Sequence, residues 1–352
     1  MVIVFYVSGH GLGHATRDIE VMRALLARER DARIVVRTSA PRWIFERTAP
    51  PSVELQDADI DPGVVERSDL SIDEAATVRE AARFYDDFDD RTAAEAAVLH
   101  ALAADFLVGD IPPLAFAAAA RLGIPSVALG NFTWDWIYAS YRPLADAPGI
   151  IQTIRRAYAA ATRTFRLPLH GDFDAMTPVV DVPFIARRST RDRGETRTRL
   201  GIVDDRPAVL LSFDRMGLDM PARGASDAFT VVDTSVAAME AHGLAYQDLV
   251  AAVDVVISKP GYGIASECLA NGAALLYTSR EGFIESDMLA VEMPRVLRCR
   301  FLPRADLEAG RWSDAIAAVL RQPVPGERPR VDGADVVAQS LIVLHDCTRH
   351  LR

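Results

Sequence analysis

Short hydrophobic runs rich in Val, Ile and Leu alternate along this chain with longer Ala- and Leu-rich stretches of helical period, the pattern of parallel α/β units. The first run, Val2 to Val7, leads through a glycine segment into a helix from about Ala15 to Arg28. Strands are predicted at 32–39, 52–55, 106–110 and 124–132, with helical turns around 73–104 and an Ala-rich helix opened by Pro112 and Pro113. Runs such as FLVG and SVAL show no inside/outside alternation, which suits strands covered by helices on both faces. Around 166–195 the pattern gives way to Pro, Asp, Arg and Gly, read as a linker. A second series follows, with strands at 207–214, 229–234, 253–258 and 274–279 and a last helix at about 334–350. Two such halves, each with a glycine turn after a strand, predict two doubly wound domains facing a cleft.

Length and composition agree with that division. A chain of 352 residues, half of them hydrophobic, suits two globular domains. The net charge of −10 argues against a general nucleic-acid binder, which needs a basic face, and leaves room for a local basic pocket. Cys268, Cys299 and Cys347 form no CxxC pair, so neither a zinc site nor a disulfide framework is expected, and a reducing cytoplasm fits. MVIVFYV lacks a basic leader and reads as a strand, and no apolar run approaches the roughly 20 residues that span a bilayer. The acidic pairs of DADID (57–61) and DDFDD (86–90) are assigned to solvated faces, with no metal site.

Two stretches carry chemistry. In SGHGLGHATR (8–17), Gly9, Gly11 and Gly13 alternate, but His14 stands where a dinucleotide fingerprint has its third glycine, and the second strand ends without an acidic residue for a ribose. A nicotinamide or flavin site is therefore not expected. What remains is a loop whose backbone approaches a ligand closely, with His10 and His14 beside a helix N-terminus. The helix-end dipole there favours a neutral imidazole, one able to take up a proton.

The second stretch is DVVISKPGYGIASECLANGAALLYTSREGFIESDML (254–289). A strand runs into Lys259, the one lysine of the chain, then Gly261, Tyr262 and Gly263, then a helix from about Ile264. Free N–H groups at that helix start, with Lys259, suit a diphosphate. Glu267 can accept from both hydroxyls of a ribose, and the next strand delivers Arg280, Glu281 and Glu285 towards a sugar or phosphate.

The 254–289 stretch resembles the nucleotide-sugar site of GT-B glycosyltransferases of the MurG and UDP-glycosyltransferase kind. GHGLGHATR, VGDIPPLAFAAAARLGIPSVALGNFTWDWIY and SKPGYGIASECLANG together are most similar to the glycosyltransferase-like domain joined to a sugar kinase in plant L-arabinokinases. The likeness covers roughly 1–320 and leaves no length for the kinase portion. It implies a GT-B fold of two Rossmann-like, doubly wound domains. Residues 1–170 would form the acceptor domain, 180–333 the nucleotide-sugar donor domain, and 334–352 would pack back on the first. The implied reaction is inverting, metal-independent transfer from a nucleoside-diphosphate sugar, UDP-linked, to a small-molecule or glycan acceptor. The nucleotide sugar is a co-substrate, and no cofactor is called for. His14 or His10 would be the base, with Asp110 orienting an imidazole or binding the acceptor. Gly11, Gly13, Asn131, Trp134 and Asp135 would line the acceptor side, where Trp134 and Trp136 either stack on sugars or belong to the core. Gly217, Lys259, Gly261, Tyr262, Gly263, Glu267, Arg280 and Glu285 would hold the donor. A soluble acceptor is favoured over a membrane surface, since no basic amphipathic helix stands out.

One departure counts against catalysis. The segment 214–228 is short where related donor domains have a glycine loop and a full helix; Gly217 survives there, and Arg215 or Arg223 are candidates to compensate. A non-catalytic nucleotide-sugar binder or sensor, and a sugar-nucleotide epimerase, therefore stay open beside the transferase.

Overall fold

A computed structural model describes residues 1–146, 148–202, 205–213, 228–232 and 236–349. The chain forms two compact units, one of residues 1–65, 73–185 and 330–352, the other of 66–72 and 186–329. It passes from one to the other after residues 65, 72, 185 and 329.

In the first unit, β1 (Val2–Val7), β2 (Arg33–Thr38), β3 (Glu54–Asp57), β6 (Phe106–Asp110), β7 (Ser126–Gly130), β8 (Arg163–Arg166) and β9 (Val179–Asp181) make one parallel sheet. The order is β3-β2-β1-β6-β7-β8-β9. Residues 3–7, β6 and β7 are buried throughout, as unalternating apolar runs require. The strand order reverses between β1 and β6, so the ends of these two strands open the crevice where such sheets take ligands. The helix Gly333–Arg349 packs on the helix Leu12–Arg28, with Arg28 Nη2 donating to Asp335 Oδ1 at 2.8 Å.

The second unit carries β10 (Ala208–Ser212), β11 (Thr230–Val232), β12 (Val255–Ser258), β13 (Ala274–Tyr277) and β14 (Cys299–Phe301), again all parallel, in the order β11-β10-β12-β13-β14. Its reversal lies between β10 and β12, and β12 ends directly before Lys259. A hairpin of β4 (Glu66–Ser68) and β5 (Ser71–Ile72), from early in the sequence, belongs to this unit.

The strands read from hydrophobic runs lie where the sequence puts them, with trimmed ends, except that the one expected at 52–55 is shifted two residues on, to Glu54–Asp57. Those it misses are short: the hairpin β4 and β5, β8, and the edge strands β9 and β14. β8 runs up to the start of the stretch 166–195 read as a linker and β9 lies within it; the two strands are joined across Arg166 and Asp181 by an ion pair at 2.7 Å. β14 exposes Arg300 and Phe301. The helix expected from Ile264 begins two residues earlier, at Tyr262. Among the described residues no helix is long and apolar enough to cross a membrane.

Candidate functional site

The first cluster forms where β1 and β6 end. Gly11 precedes the helix Leu12–Arg28 with φ at +75°, a conformation that glycine adopts without the penalty of a Cβ. That turn, with Gly13 in the first turn of the helix, sets His14 one residue further on and buries it. β6 delivers Asp110, fully buried, and the two meet with His14 Nδ1 2.8 Å from Asp110 Oδ1. A carboxylate accepts only, so a ring hydrogen is on Nδ1, and in the neutral ring the lone pair is then on Nε2. Nε2 has no hydrogen-bond partner among the described residues.

Arg17, one turn after His14, is the member of this cluster that the sequence reading misses. Its Nε donates to Asp110 Oδ2 at 2.5 Å, its Nη2 to Asp110 Oδ1, and its Nη1 to Asn131 Oδ1 at 2.8 Å. Nη2 also lies 2.9 Å from His14 Nδ1, but with that nitrogen protonated the approach is a contact and not a hydrogen bond. Burial alone would raise the Asp110 carboxyl; the charge of Arg17 and the hydrogen bonds from Arg17 and His14 outweigh it and hold Asp110 below the usual carboxylate range. The spacing of GHATR, with His and Arg three residues apart on one helix face, was the available signal for Arg17.

Trp134 is buried and not open for stacking: its indole Nε1 donates to Asp61 Oδ2 at 3.0 Å, and His10 packs edge-on to it at 5.6 Å between ring centroids. Asp61 is thus no part of a solvated face, although Asp86, Asp87, Asp89 and Asp90 are exposed. Burial pushes the Asp61 carboxyl up to about 6, against the lowering pull of Ser8, His14 and Trp134. Asp135, also buried, accepts from Arg155 Nε at 2.9 Å.

The second cluster follows β12. Gly261 is the N-cap of the helix Tyr262–Asn271, with extended backbone, and Tyr262 is buried in the first turn beside Gly263, whose carbonyl accepts from Ser266. Arg280, from the loop after β13, is buried with its guanidinium 4.2 Å from the Phe283 ring centroid, and it donates through Nη2 to Glu66 of the hairpin. Lys259 Nζ lies 3.7 Å from the same carboxylate. Glu285 is buried in the first turn of the helix Ile284–Glu292. Glu267 is buried and accepts from Arg187 Nε at 2.6 Å, while that guanidinium lies over the ring of Tyr246. Gly217, Arg215 and Arg223 lie outside the described residues. Among the described residues no group of three or more His, Cys, Asp or Glu side chains is placed to hold a metal ion.

No protein-family profile matches the chain. Over 97% of its length it is 31% identical to L-arabinokinase of Arabidopsis thaliana, and it spans about a third (34%) of that protein. A UDP-glucosyltransferase from Polygonum tinctorium capable of glucosylating indoxyl aligns over 98% of this chain and 94% of its own, with a TM-score of 0.60 and 13% identity. UGT2 of Phytolacca americana, complexed with UDP-2-fluoro-glucose and pterostilbene, aligns over 97% of this chain and 93% of its own, with a TM-score of 0.57 and 15% identity. The two parallel sheets are those of a GT-B glycosyltransferase fold, and along nearly all of its length the chain is similar in sequence to a part of L-arabinokinase.

Proposed function

We propose that the chain transfers a glycosyl group, with inversion, from a nucleoside-diphosphate sugar to a hydroxyl acceptor. The acceptor hydroxyl gives its proton to His14 Nε2 as its oxygen attacks the anomeric carbon. The bond from that carbon to the diphosphate breaks, and the diphosphate leaves with the electron pair. Asp110, bonded to Nδ1, keeps the ring in the accepting tautomer and offsets the charge it gains. Leaving-group charge falls to Lys259, Arg280 and the N–H groups opening the helix Tyr262–Asn271, a route that uses no metal ion. Glu267 is the residue assigned to the ribose hydroxyls. The first unit is the acceptor domain in this reading and the second the donor domain. The complex of the Phytolacca americana protein with a UDP sugar supports UDP as the first nucleotide to try.

The observation that carries the reading is the His14–Asp110 pair, with Nε2 left unpartnered among the described residues. Its test is release of nucleoside diphosphate from a panel of UDP- and dTDP-sugars offered with hydroxyl acceptors. His14→Ala should lose at least ~100-fold in turnover while UDP affinity stays within about twofold of the parent. Equal turnover by parent and variant rejects His14 as the base.

A second reading, a binder without turnover, draws on Arg17. Because Arg17 already occupies both oxygens of Asp110, that carboxylate has less charge to offer an imidazolium. Stabilisation by UDP in thermal unfolding, with no product from any donor and acceptor pair, would favour this reading over transfer.

A further inference from the structure

The hairpin 66–72 is fastened to the second unit by its main chain and by one apolar side chain. Glu281 N donates to Leu70 O at 2.8 Å, and Ile72 N donates to Glu281 O at 3.1 Å. Gly282, at φ +77°, lets the chain pass close to Ile72, and Leu70 is fully buried among Val255, Leu276, Leu302 and Trp312. None of these attachments uses the charge of Glu66. That carboxylate, 20% exposed, sits instead on Arg280 and within 3.7 Å of Lys259.

Arg280 is not satisfied by this arrangement. Glu66 takes its Nη2, whereas its Nε is a buried donor with no acceptor among the described residues. A guanidinium offers a planar fork suited to two oxygens of one anion. The cluster is therefore an anion site in which a single carboxylate does part of the task.

Resting on the donor reading above, we infer that Glu66 is a resident counter-ion which the donor's diphosphate displaces, so that the hairpin sets the interaction an anion must exceed to enter this site. A diphosphate brings more charge and more oxygens than a carboxylate, enough to engage Nε as well as Nη2 and Lys259. Glu66, already partly exposed, returns to water. A monophosphate faces the same cost of displacing Glu66 with less charge to offset it. Removing the carboxylate lowers that cost equally for every anion that displaces it, so affinity rises for each while the preference for diphosphate stays.

The test is calorimetry on the full chain with UDP, dTDP, UMP and inorganic pyrophosphate, pyrophosphate being independent of the base. Glu66→Gln keeps the shape of the side chain, Glu66→Ala is a second variant, and thermal unfolding checks that each is folded. Diphosphate binding should tighten at least tenfold in both variants, and UMP binding should tighten by a similar factor. Unchanged or weaker diphosphate binding by the folded variants, when the parent binds, overturns the counter-ion role and leaves the donor reading standing. No binding of UDP, dTDP or pyrophosphate by parent or variants overturns both.

Discussion

Asp18 is fully buried with its carboxyl turned on that of Asp110, and among the described residues neither of its oxygens has a hydrogen-bond partner while both groups are ionised. Burial first, and then the negative charge of Asp110, raise Asp18 well above the ordinary carboxylate range. Protonated, Asp18 becomes a donor to Asp110, which accepts also from Arg17 and His14. The clustered charges thus become a bonded set only when this helix holds one proton.

That proton makes stability depend on pH. The folded chain binds it where an unfolded chain, with an aspartate pKa near ~3.9, has released it. Stability is therefore full below that value and falls as pH rises towards the raised folded value. Asp18→Asn supplies an amide donor without a proton to bind. Its melting temperature should exceed the parent's by on the order of 2 °C or more at pH 8, with the difference closing towards pH 4. A difference that stays constant over that range would show that Asp18 is ionised in the folded chain.

Asp61 gives a narrower window. Its carboxyl is pushed up to about 6, mainly by burial, so its contribution is lost between about pH 4 and about pH 6 and stays lost above. Asparagine at this position still accepts from the Trp134 indole through its carbonyl. Asp61→Asn should therefore gain on the order of 2–3 kcal/mol at pH 7.5 and nothing near pH 4, as read from urea unfolding at the two pH values. Destabilisation at pH 7.5 would show that the ionised carboxylate is what holds Trp134.

Glu267 has two partners to serve in the donor reading, Arg187 now and a ribose when nucleotide binds. Alanine would take the carboxylate from the mostly buried Arg187 charge and mix a folding effect of roughly 3–5 kcal/mol into any affinity. Glu267→Gln separates the two, because its carbonyl still accepts from Arg187 but no longer offers two anionic oxygens. UDP binding should weaken roughly tenfold, about 1–2 kcal/mol, while pyrophosphate binding is unchanged. Equal losses for both ligands would move Glu267 from the ribose to the structure of the site.

The parts of this molecule that sequence reveals are those governed by burial. Unalternating runs such as Val2–Val7 and Val255–Ser258 announce central strands because both faces must be covered. The glycine turns announce the helix starts that follow them. His14 and Asp110 were legible as separate candidates, one beside a helix N-terminus and one at a strand end, but their 2.8 Å approach depends on β1 and β6 being neighbours, 96 residues apart in sequence. Arg17, Asp18 and Asp61 escaped because a charged residue on a helix or in an acidic run is ordinarily solvated, and only the fold shows these three to be buried. β9 and β14 escaped for the opposite reason: exposed edges are held by ion pairs and main chain, which leave no hydrophobic signature.

The hairpin 66–72 is the part least readable from the chain, since seven residues with three charges carry no sign of belonging to a unit whose remaining residues begin at 186. Its attachment turns on Leu70, which is fully buried in the second core against Trp312 and the ends of β12 and β13. Leu70→Ala removes that anchor and leaves a cavity, at a cost of roughly 2–5 kcal/mol if the site does not collapse. The cost falls on the second unit, where the side chain is buried, and not on the first, from which the segment departs in sequence. Hydrogen exchange should therefore speed up in β12, β13 and the helix Ser313–Leu320 of the variant, while the amides of β1 and β6 keep the parent's protection. Faster exchange confined to β1 and β6, with β12 and β13 unaffected, would show that the hairpin is held by the first unit instead.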